Sequence, residues 1–261
     1  MKAALKYLLP FALGVAVLAA WQVAVRALDV PVYLVPAPSD IWSAFTGNFP
    51  SLMASLWATL QVTLVAFALA VAGGVGLAVI FSQSRTVENT LYPYAVALQV
   101  TPVVAIAPLI LIWVGYDRVE LALILIAFLV SFFPILSNTT LGLKSADHNL
   151  IDLFKLYGAS RWQILRRLQL PSALPHLLGA MKIAGGLALI GAVVAEFVAG
   201  SGTATGLAWR IIEAGNRLEI AKMFACLGLL AALGIAIFAA LSVLEYALLR
   251  TWHESALKKQ G

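Results

Sequence analysis

The chain contains 261 residues, of which 62% are hydrophobic and 11% are charged. An average soluble domain is about 45–50% apolar and about 25% charged, so this chain has too little charge to cover the surface of a water-soluble globule. Its mean hydropathy of +0.96 indicates that apolar residues run along most of the chain instead of forming one anchor. The composition argues against a soluble protein and predicts an all-α, polytopic membrane protein.

Charge-free stretches mark the candidate membrane spans, because a spanning helix needs about 20 predominantly apolar residues. The stretch 41–84 is long enough for two spans, but its first part is polar and broken by Pro50, so we predict one span near 52–81. Residues 183–198 form an apolar stretch that only Glu196 interrupts. The remaining stretches are 7–25, 89–116, 121–143 and 223–244. We therefore predict about six spans within a single transmembrane domain, residues 1–261.

The distribution of Lys and Arg predicts the orientation in the membrane. With six spans both termini lie on the same side, and most of the 17 Lys and Arg residues, Lys182 among them, fall on that side. The positive-inside rule then makes both termini cytoplasmic, and cationic loops beside anionic lipid account for the net charge of +5 without a nucleic acid. A cleavable signal peptide is the alternative for residues 7–25, but the apolar run exceeds the usual length of about 7–15 residues.

Two proline-containing segments stand out before the middle of the chain. The Pro-rich stretch 35–40 ends at Asp40, a candidate N-cap for a short interfacial helix over 41–45 that Trp42 and Phe45 would anchor. The span 89–116 contains Thr101, Pro102 and a further proline. Prolines inside a span free backbone groups that neighbouring helices or water must satisfy. Thr101 and Pro102 are therefore candidate pathway residues, with a kinked packing helix as the alternative.

One long polar loop, residues 144–175, lies on the predicted cytoplasmic side. Gly158 interrupts an amphipathic pattern, and Ser160 is placed to cap a second helix that Pro171 is expected to end. Apolar residues recur at helical spacing in both helices: Leu150, Leu153, Leu156 and Tyr157 in the first, and Trp162, Leu165 and Leu168 in the second. Two short helices that meet at a glycine indicate a docking element, and an ordinary membrane-surface hairpin is the alternative.

The loop resembles the EAA loop of binding-protein-dependent ABC importer permeases. Gly158 is followed by nine residues and then by Leu168-Gln169-Leu170-Pro171, which is the spacing of that family, while Asp152-Leu153-Phe154 stands where the family has Glu-Ala-Ala. Residues 36–41, 172–175 and 195–198 are similar to the branch that serves taurine, sulfonates and nitrate. That branch includes permeases for pyrimidine precursors of thiamine and for riboflavin.

This resemblance implies a type I ABC importer permease fold in the bacterial cytoplasmic membrane, in contact with lipid and without a cofactor or catalytic residue. It implies a homodimer with cytoplasmic ATPase subunits and an extracytoplasmic substrate-binding protein as partners. The chain contains no G-x-x-x-x-G-K-[ST] motif, so we expect ATP hydrolysis on a separate subunit. The residues expected to couple to the ATPase are Asp152, Leu153, Tyr157, Gly158, Ala159, Trp162, Arg166, Leu170 and Pro171.

Glu196 is the one acidic residue inside a predicted span, which makes it a candidate gate or substrate contact. The alternative is an interfacial carboxylate that hydrogen-bonds the glycine-rich segment 200–207 or Arg210. That segment is expected to form a flexible turn, although its backbone could also donate to a small anion. Charged residues over 210–222 predict an external mixed-charge face. The three histidines lack metal-ligand spacing, and Cys226 is expected to be a packing residue.

Two other functional classes remain open from the residues alone. A membrane-embedded enzyme needs a nucleophile, a base or metal ligands within the bilayer, where this chain offers Glu196 and scattered hydroxyl groups. An ion-coupled secondary transporter is typically built from repeats with several buried ionisable groups, and no clear repeat relates the two halves of this chain.

Overall fold

The computed structural model describes residues 2–200 and 205–250, with side chains from residue 8 onward. The regular structure of these residues is helical. Most of the glycine-rich segment 200–207, His253 and the C-terminal end lie outside the described residues. The helices are α1 (Lys2–Ala27), α2 (Pro38–Gly47), α3 (Phe49–Gln83), α4 (Arg85–Val100), α5 (Val103–Val114), α6 (Val119–Lys144), α7 (His148–Leu156), α8 (Arg161–Ile164), α9 (Leu170–Ala199), α10 (Leu207–Asn216) and α11 (Ile220–Leu249).

Five helical segments are long and apolar enough to cross a membrane, and one broken pair of helices makes a sixth candidate. The five segments are Leu8–Ala27, Phe49–Gln83, Tyr116–Lys144, Arg161–Ala199 and Ile220–Leu249. The pair consists of α4 and α5, which are bent by 102° relative to each other. This arrangement confirms the predicted number of about six spans, including a single span over 52–81.

The predicted span 89–116 is interrupted between α4 and α5. The chain is extended at Thr101 and Pro102, with ψ angles of 125° and 104°. Pro102 disfavours the α conformation at the residue before it and has no N–H to continue the helical ladder. At 1.5 Å per residue, α4 is about 24 Å long and α5 about 18 Å, so each is shorter than the bilayer core of about 30 Å.

The first compact unit consists of residues 2–58 and 205–231. Leu52, Leu207 and Cys226 are buried together in its core, where Cys226 takes the predicted packing position. The short helix predicted over 41–45 is part of the longer α2, which begins at Pro38 with Ala37 as its N-cap. Asp40 is therefore not the N-cap. It is the third residue of the helix, within the first turn, where its carboxylate accepts hydrogen bonds from Ala37 N at 3.1 Å and from Arg26 at 2.7 Å.

The second compact unit consists of residues 59–200 and 232–250, and the antiparallel helices α6 and α9 form its centre. A Cβ atom placed on Gly142 would lie 2.9 Å from Ala173 Cα, and one placed on Gly191 would lie 2.7 Å from Ala127 Cα. These distances show that the two backbones are nearly in contact at both ends of the pair. Small residues permit such close approach, which stabilises helix pairs in lipid through van der Waals packing.

The helix α11 packs against α9 in this unit through a close glycine contact and an ion pair. A Cβ atom on Gly185 would lie 2.6 Å from Leu241 Cδ1. Lys182 Nζ donates to Glu245 Oε2 at 2.6 Å, and both side chains are mostly buried. The sequence placed Lys182 in a cytoplasmic loop, whereas it lies inside α9. The pairing with Glu245 explains how a lysine is accommodated within an apolar helix.

The contact at Gly191 gives a direct test of the α6–α9 packing. We expect Gly191→Ala to destabilise the protein by about 1–3 kcal/mol, because the added methyl group overpacks the interface with Ala127. Thermal unfolding of the purified protein in detergent measures this effect.

Gly186→Ala is the matched control, since a Cβ atom at Gly186 would have no neighbour within 4 Å. Alanine is about 1 kcal/mol more favourable than glycine in a helix interior, so this control is expected to be neutral or slightly stabilising. Equal unfolding temperatures for the two variants would contradict the close contact.

Candidate functional site

The loop after α6 folds into a helical hairpin, residues 145–169, and its turn depends on Gly158. The backbone N–H of Gly158 donates to Lys155 O at 2.9 Å, and the N–H of Ala159 donates to Phe154 O at 2.9 Å. Together these bonds form a Schellman motif at the end of α7. The motif requires a left-handed residue, and Gly158 has a φ of +73°. The predicted interruption at this glycine is therefore a defined turn that other residues adopt only with strain.

The second half of the hairpin begins with a capping box. Ser160 Oγ accepts a hydrogen bond from Gln163 N at 3.3 Å, and Gln163 Oε1 accepts one from Ser160 N at 2.7 Å. The pair satisfies two backbone donors at the start of α8. Ser160 is thus the helix cap that the sequence predicts, and the S-x-x-Q spacing, which the sequence analysis did not use, is typical of such a capping box.

A π-helical turn over Leu165–Gln169 joins α8 to α9. Leu170 N donates to Leu165 O across this turn, and the helix continues through Pro171, so the prediction that Pro171 ends the helix was wrong. Proline is tolerated because it falls in the first turn of α9, and the widened turn before it changes the hydrogen-bond ladder. As a result, Arg161–Ala199 forms one continuous helical segment, which we call the rod.

The rod is anchored in the second unit by Leu165. Its side chain is fully buried in a cluster with Phe81 and Leu143, and the neighbouring Ile164 is buried as well. The predicted stripe of Trp162, Leu165 and Leu168 is therefore only partly correct, since Trp162 is 64% exposed. The periodic pattern identified apolar residues but could not tell which of them face the core.

The hairpin presents an apolar surface that no described residue covers. Tyr157 and Leu156 are 84% and 86% exposed, and Leu153 and Trp162 are exposed too. We call these four residues the apolar hairpin surface. Large apolar side chains that cluster on a loop outside the membrane are typical of a protein interaction site.

A hollow of about 390 Å³ lies beside this surface and brings together four of the predicted coupling residues. They are Leu153, Tyr157, Gly158 and Ala159. Its other lining residues, which the sequence analysis missed, are Phe154, Gln163 and Arg167. Of these, Gln163 was detectable from its capping spacing.

The other predicted coupling residues do not line this hollow. Asp152 pairs with Lys155 at 2.9 Å with both side chains largely exposed, so the pair contributes little to stability. Arg166 and Pro171 are exposed, and Leu170 packs against the cluster around Leu165.

Glu196 is buried near the other end of the rod, with 1% of its surface exposed. Thr59 on α3, itself fully buried, donates its hydroxyl to Glu196 Oε1 at 2.7 Å. This bond connects α3 to α9 across 137 residues of sequence. The sequence suggested the glycine-rich segment or Arg210 as the partner of Glu196. Residues 201–204 of that segment lie outside the described residues, and Arg210 donates to Ser55 and Glu213.

The mixed-charge face predicted over 210–222 is a network of paired groups in the first unit. Arg210 donates to Ser55 Oγ at 3.0 Å and to Glu213 Oε2 at 2.7 Å, and Arg217 lies 3.0 Å from Glu213 Oε1. The hydrogen bond from Arg210, together with the positive charges nearby, holds the pKa of Glu213 below its ordinary value. In residues 2–200 and 205–250, no group of three His, Cys, Asp or Glu side chains is placed to hold a metal ion.

The contact between Thr59 and Glu196 can be tested by changing the acceptor. Glu196→Gln keeps an oxygen that accepts the Thr59 hydroxyl, so we expect nearly unchanged stability. Glu196→Leu removes the acceptor, and loss of a buried hydrogen bond typically costs about 1–3 kcal/mol. Thermal unfolding of both variants measures the difference, and equal stabilities would contradict a structural link through this oxygen.

Comparison with known proteins agrees with this geometry. Residues 70–258 match the family described as binding-protein-dependent transport system inner membrane component. The formylaminopyrimidine transport permease protein ThiX of Halalkalibacterium halodurans is 35% identical over 88% of this chain and 90% of its own length. The riboflavin transport system permease protein RibX of Chloroflexus aurantiacus is 35% identical over 90% of this chain and 86% of its own length. The taurine transport system permease protein TauC of Escherichia coli is 29% identical over 89% of this chain and 85% of its own length.

A solved structure shows the same fold. A chain of the MetNI methionine ABC transporter in inward-facing conformations matches with a TM-score of 0.64 at 20% identity, over 77% of this chain and 97% of that chain. The predicted fold is thus confirmed. The family match and the two relatives at 35% identity favour an importer permease over a secondary transporter or a membrane-embedded enzyme. The chain belongs to the family of binding-protein-dependent transport system inner membrane components and is a multi-pass permease subunit of an ABC importer in the inner membrane.

Proposed function

We propose that the hairpin 145–169 docks onto a cytoplasmic ATPase subunit and that ATP is hydrolysed on that separate polypeptide. The observation that carries this proposal is the exposure of the apolar hairpin surface. Lipid can cover the apolar faces of the membrane helices, but a hairpin in the cytoplasm needs a protein partner to cover its apolar side chains. A groove on a soluble ATPase would bury Tyr157, Trp162 and their neighbours. The adjoining hollow at Gly158 and Ala159 leaves space for a side chain of the ATPase.

The continuous rod explains how motion at the hairpin reaches the membrane. When ATP closes the ATPase pair, each docked hairpin moves, and the rod Arg161–Ala199 transmits this movement because no loop interrupts it. The close contacts of α9 with α6, and the ion pair between Lys182 and Glu245, make those neighbouring helices move with it. Two copies of the chain would rock against each other and alternate access to a pathway between them.

The charge distribution predicts on which side of the membrane each partner binds. The positive-inside rule places the termini, residues 144–175 and the ATPase in the cytoplasm. The paired charges around Glu213 belong to a segment that the same rule assigns to the outer side of the membrane, and they would receive the extracytoplasmic substrate-binding protein. Membrane lipid covers the remaining apolar surface, and residues 1–261 act as a single permease domain that contains the loop 144–175.

The broken span is our candidate for the pathway wall. Pro102 cannot donate to Leu98 O, and the extended chain at Thr101 and Pro102 leaves backbone carbonyls near the break without helical donors. Irregular backbone at membrane depth is tolerated where it lines a cavity or is buried in protein. Glu196 is the second candidate, as a gate. Loss of uptake by Glu196→Gln at unchanged stability would indicate that its charge is required.

We infer that the solute is a small nitrogen heterocycle, similar to a pyrimidine precursor or a flavin. The support is that two relatives at 35% identity are named for formylaminopyrimidine and riboflavin transport. A sulfonate such as taurine, or nitrate, is the second candidate, because the taurine permease TauC is 29% identical.

Calorimetric titration of the partner binding protein tests this inference. We expect formylaminopyrimidine or riboflavin to bind with a Kd in the low micromolar range or below, and taurine, alkanesulfonates and nitrate to give no heat. Binding of taurine with no response to the heterocycles would contradict the first candidate and support the second.

Docking through the hairpin predicts a separation between insertion and transport. We expect Gly158→Arg to leave the amount of permease in the membrane unchanged and to abolish solute uptake, because a long cation fills the hollow and the left-handed turn is strained. Uptake and co-purification with the ATPase are measured at equal expression.

His148→Arg is the matched control, since it adds the same side chain to an exposed position of α7 outside the hollow. This control is expected to retain uptake. Full uptake by Gly158→Arg at equal expression would overturn the docking assignment.

A further inference from the structure

A second hollow lies on the hairpin, and it is lined by cations. It measures about 580 Å³ and is formed where the hairpin meets the junction between α3 and α4. Arg85, Lys155 and Arg161 contribute three positive charges, and no acidic side chain lines it. Ser82, Gln83, Ser84 and Gln169 add polar groups. None of these residues lines the hollow at Gly158.

Nearby acidic groups neutralise only one of these three cations. Lys155 pairs with Asp152, and Glu88 pairs with Lys144 instead of with the hollow. Arg85 and Arg161 make no ion pair with any residue that the structure describes. Two guanidinium groups at one hollow are therefore available to a ligand, and planar guanidinium groups are well suited to phosphate oxygens.

The start of α4 reinforces the positive potential. Ser84 is the N-cap of this 16-residue helix, and its hydroxyl accepts the N–H of Val87. The first backbone N–H groups of a helix have no acceptor within it, and they carry the positive end of the helix dipole. An anion in the hollow would thus meet side-chain cations and a helix N-terminus at the same time.

We propose that this hollow binds a phosphate-bearing anion, either the headgroup of an anionic phospholipid or a free phosphate. The hollow lies at the C-terminal end of α3, a helix long and apolar enough to cross a membrane. Its volume exceeds that of a single phosphate and accommodates a headgroup. Basic pockets between membrane helices on the cytoplasmic side bind anionic headgroups in the same manner.

The permease alone, purified in detergent without its ATPase, is sufficient for the test. Native mass spectrometry compares retention of phosphatidylglycerol with retention of phosphatidylcholine by the wild type and by Arg85→Gln/Arg161→Gln. Each cation near an anionic headgroup contributes about fivefold, so we expect the double variant to lose about 25-fold in phosphatidylglycerol binding. Phosphatidylcholine binding is expected to stay the same.

The control variant Arg166→Gln/Arg250→Gln removes two exposed cations that do not line the hollow and is expected to bind phosphatidylglycerol as the wild type does. Inorganic phosphate distinguishes the two sources of the ligand. Displacement of the lipid by millimolar phosphate identifies free phosphate as a ligand of the same site, and retention of the lipid identifies the headgroup. Either result supports the proposal.

Equal phosphatidylglycerol binding by wild type and double variant would overturn the proposal. If the double variant retains the lipid but, in a separate experiment, no longer co-purifies with the ATPase, the proposal is overturned and the hollow is assigned to an acidic segment of that protein. If the double variant aggregates, Arg85→Gln and Arg161→Gln are compared singly, with an expected loss of about fivefold each.

Discussion

The close backbone contact between α6 and α9 is the constraint on which the second unit depends. Lipid tails are as apolar as the side chains, so the hydrophobic effect does not drive helices together within the membrane. Helices there associate through close packing and polar contacts. Gly142 and Gly191 permit that packing at the two ends of the pair. Because α6 ends where the hairpin begins and α9 continues from the hairpin, the contact at Gly142 also holds the two bases of the hairpin together.

Polar groups inside the spans give this packing its specificity. Glu196 is linked to Thr59 on α3, and Lys182 to Glu245 on α11. An ionised group in the bilayer is costly unless it is paired, so each link favours one arrangement of its two helices over any rotated alternative. Such an arrangement keeps α3, α9 and α11 in fixed register while the hairpin remains free to bind a soluble partner.

Local features of the chain were predictable, and contacts across long sequence separations were not. The six spans follow from apolar length, and the turn at Gly158 and the cap at Ser160 depend on residues only a few positions apart. Thr59, which donates to Glu196, lies 137 residues away from it, and no pattern in the sequence encodes that pairing. The effect of Pro171 was misjudged because a π turn depends on how the whole helix packs, and the exposure of Trp162 has the same origin.

The π turn over Leu165–Gln169 has a geometric consequence for the hairpin. An α-helix rotates by about 100° per residue. The single extra residue of a π turn therefore rotates the residues that precede Leu165 by about that angle around the rod axis. The direction in which Tyr157 and Trp162 point is thus determined by the number of residues in this segment more than by their identity. The number of residues between Gly158 and Leu168, which is nine, therefore sets the direction of the apolar hairpin surface. An insertion or deletion within this interval would leave the hairpin folded but turn this surface away from its partner.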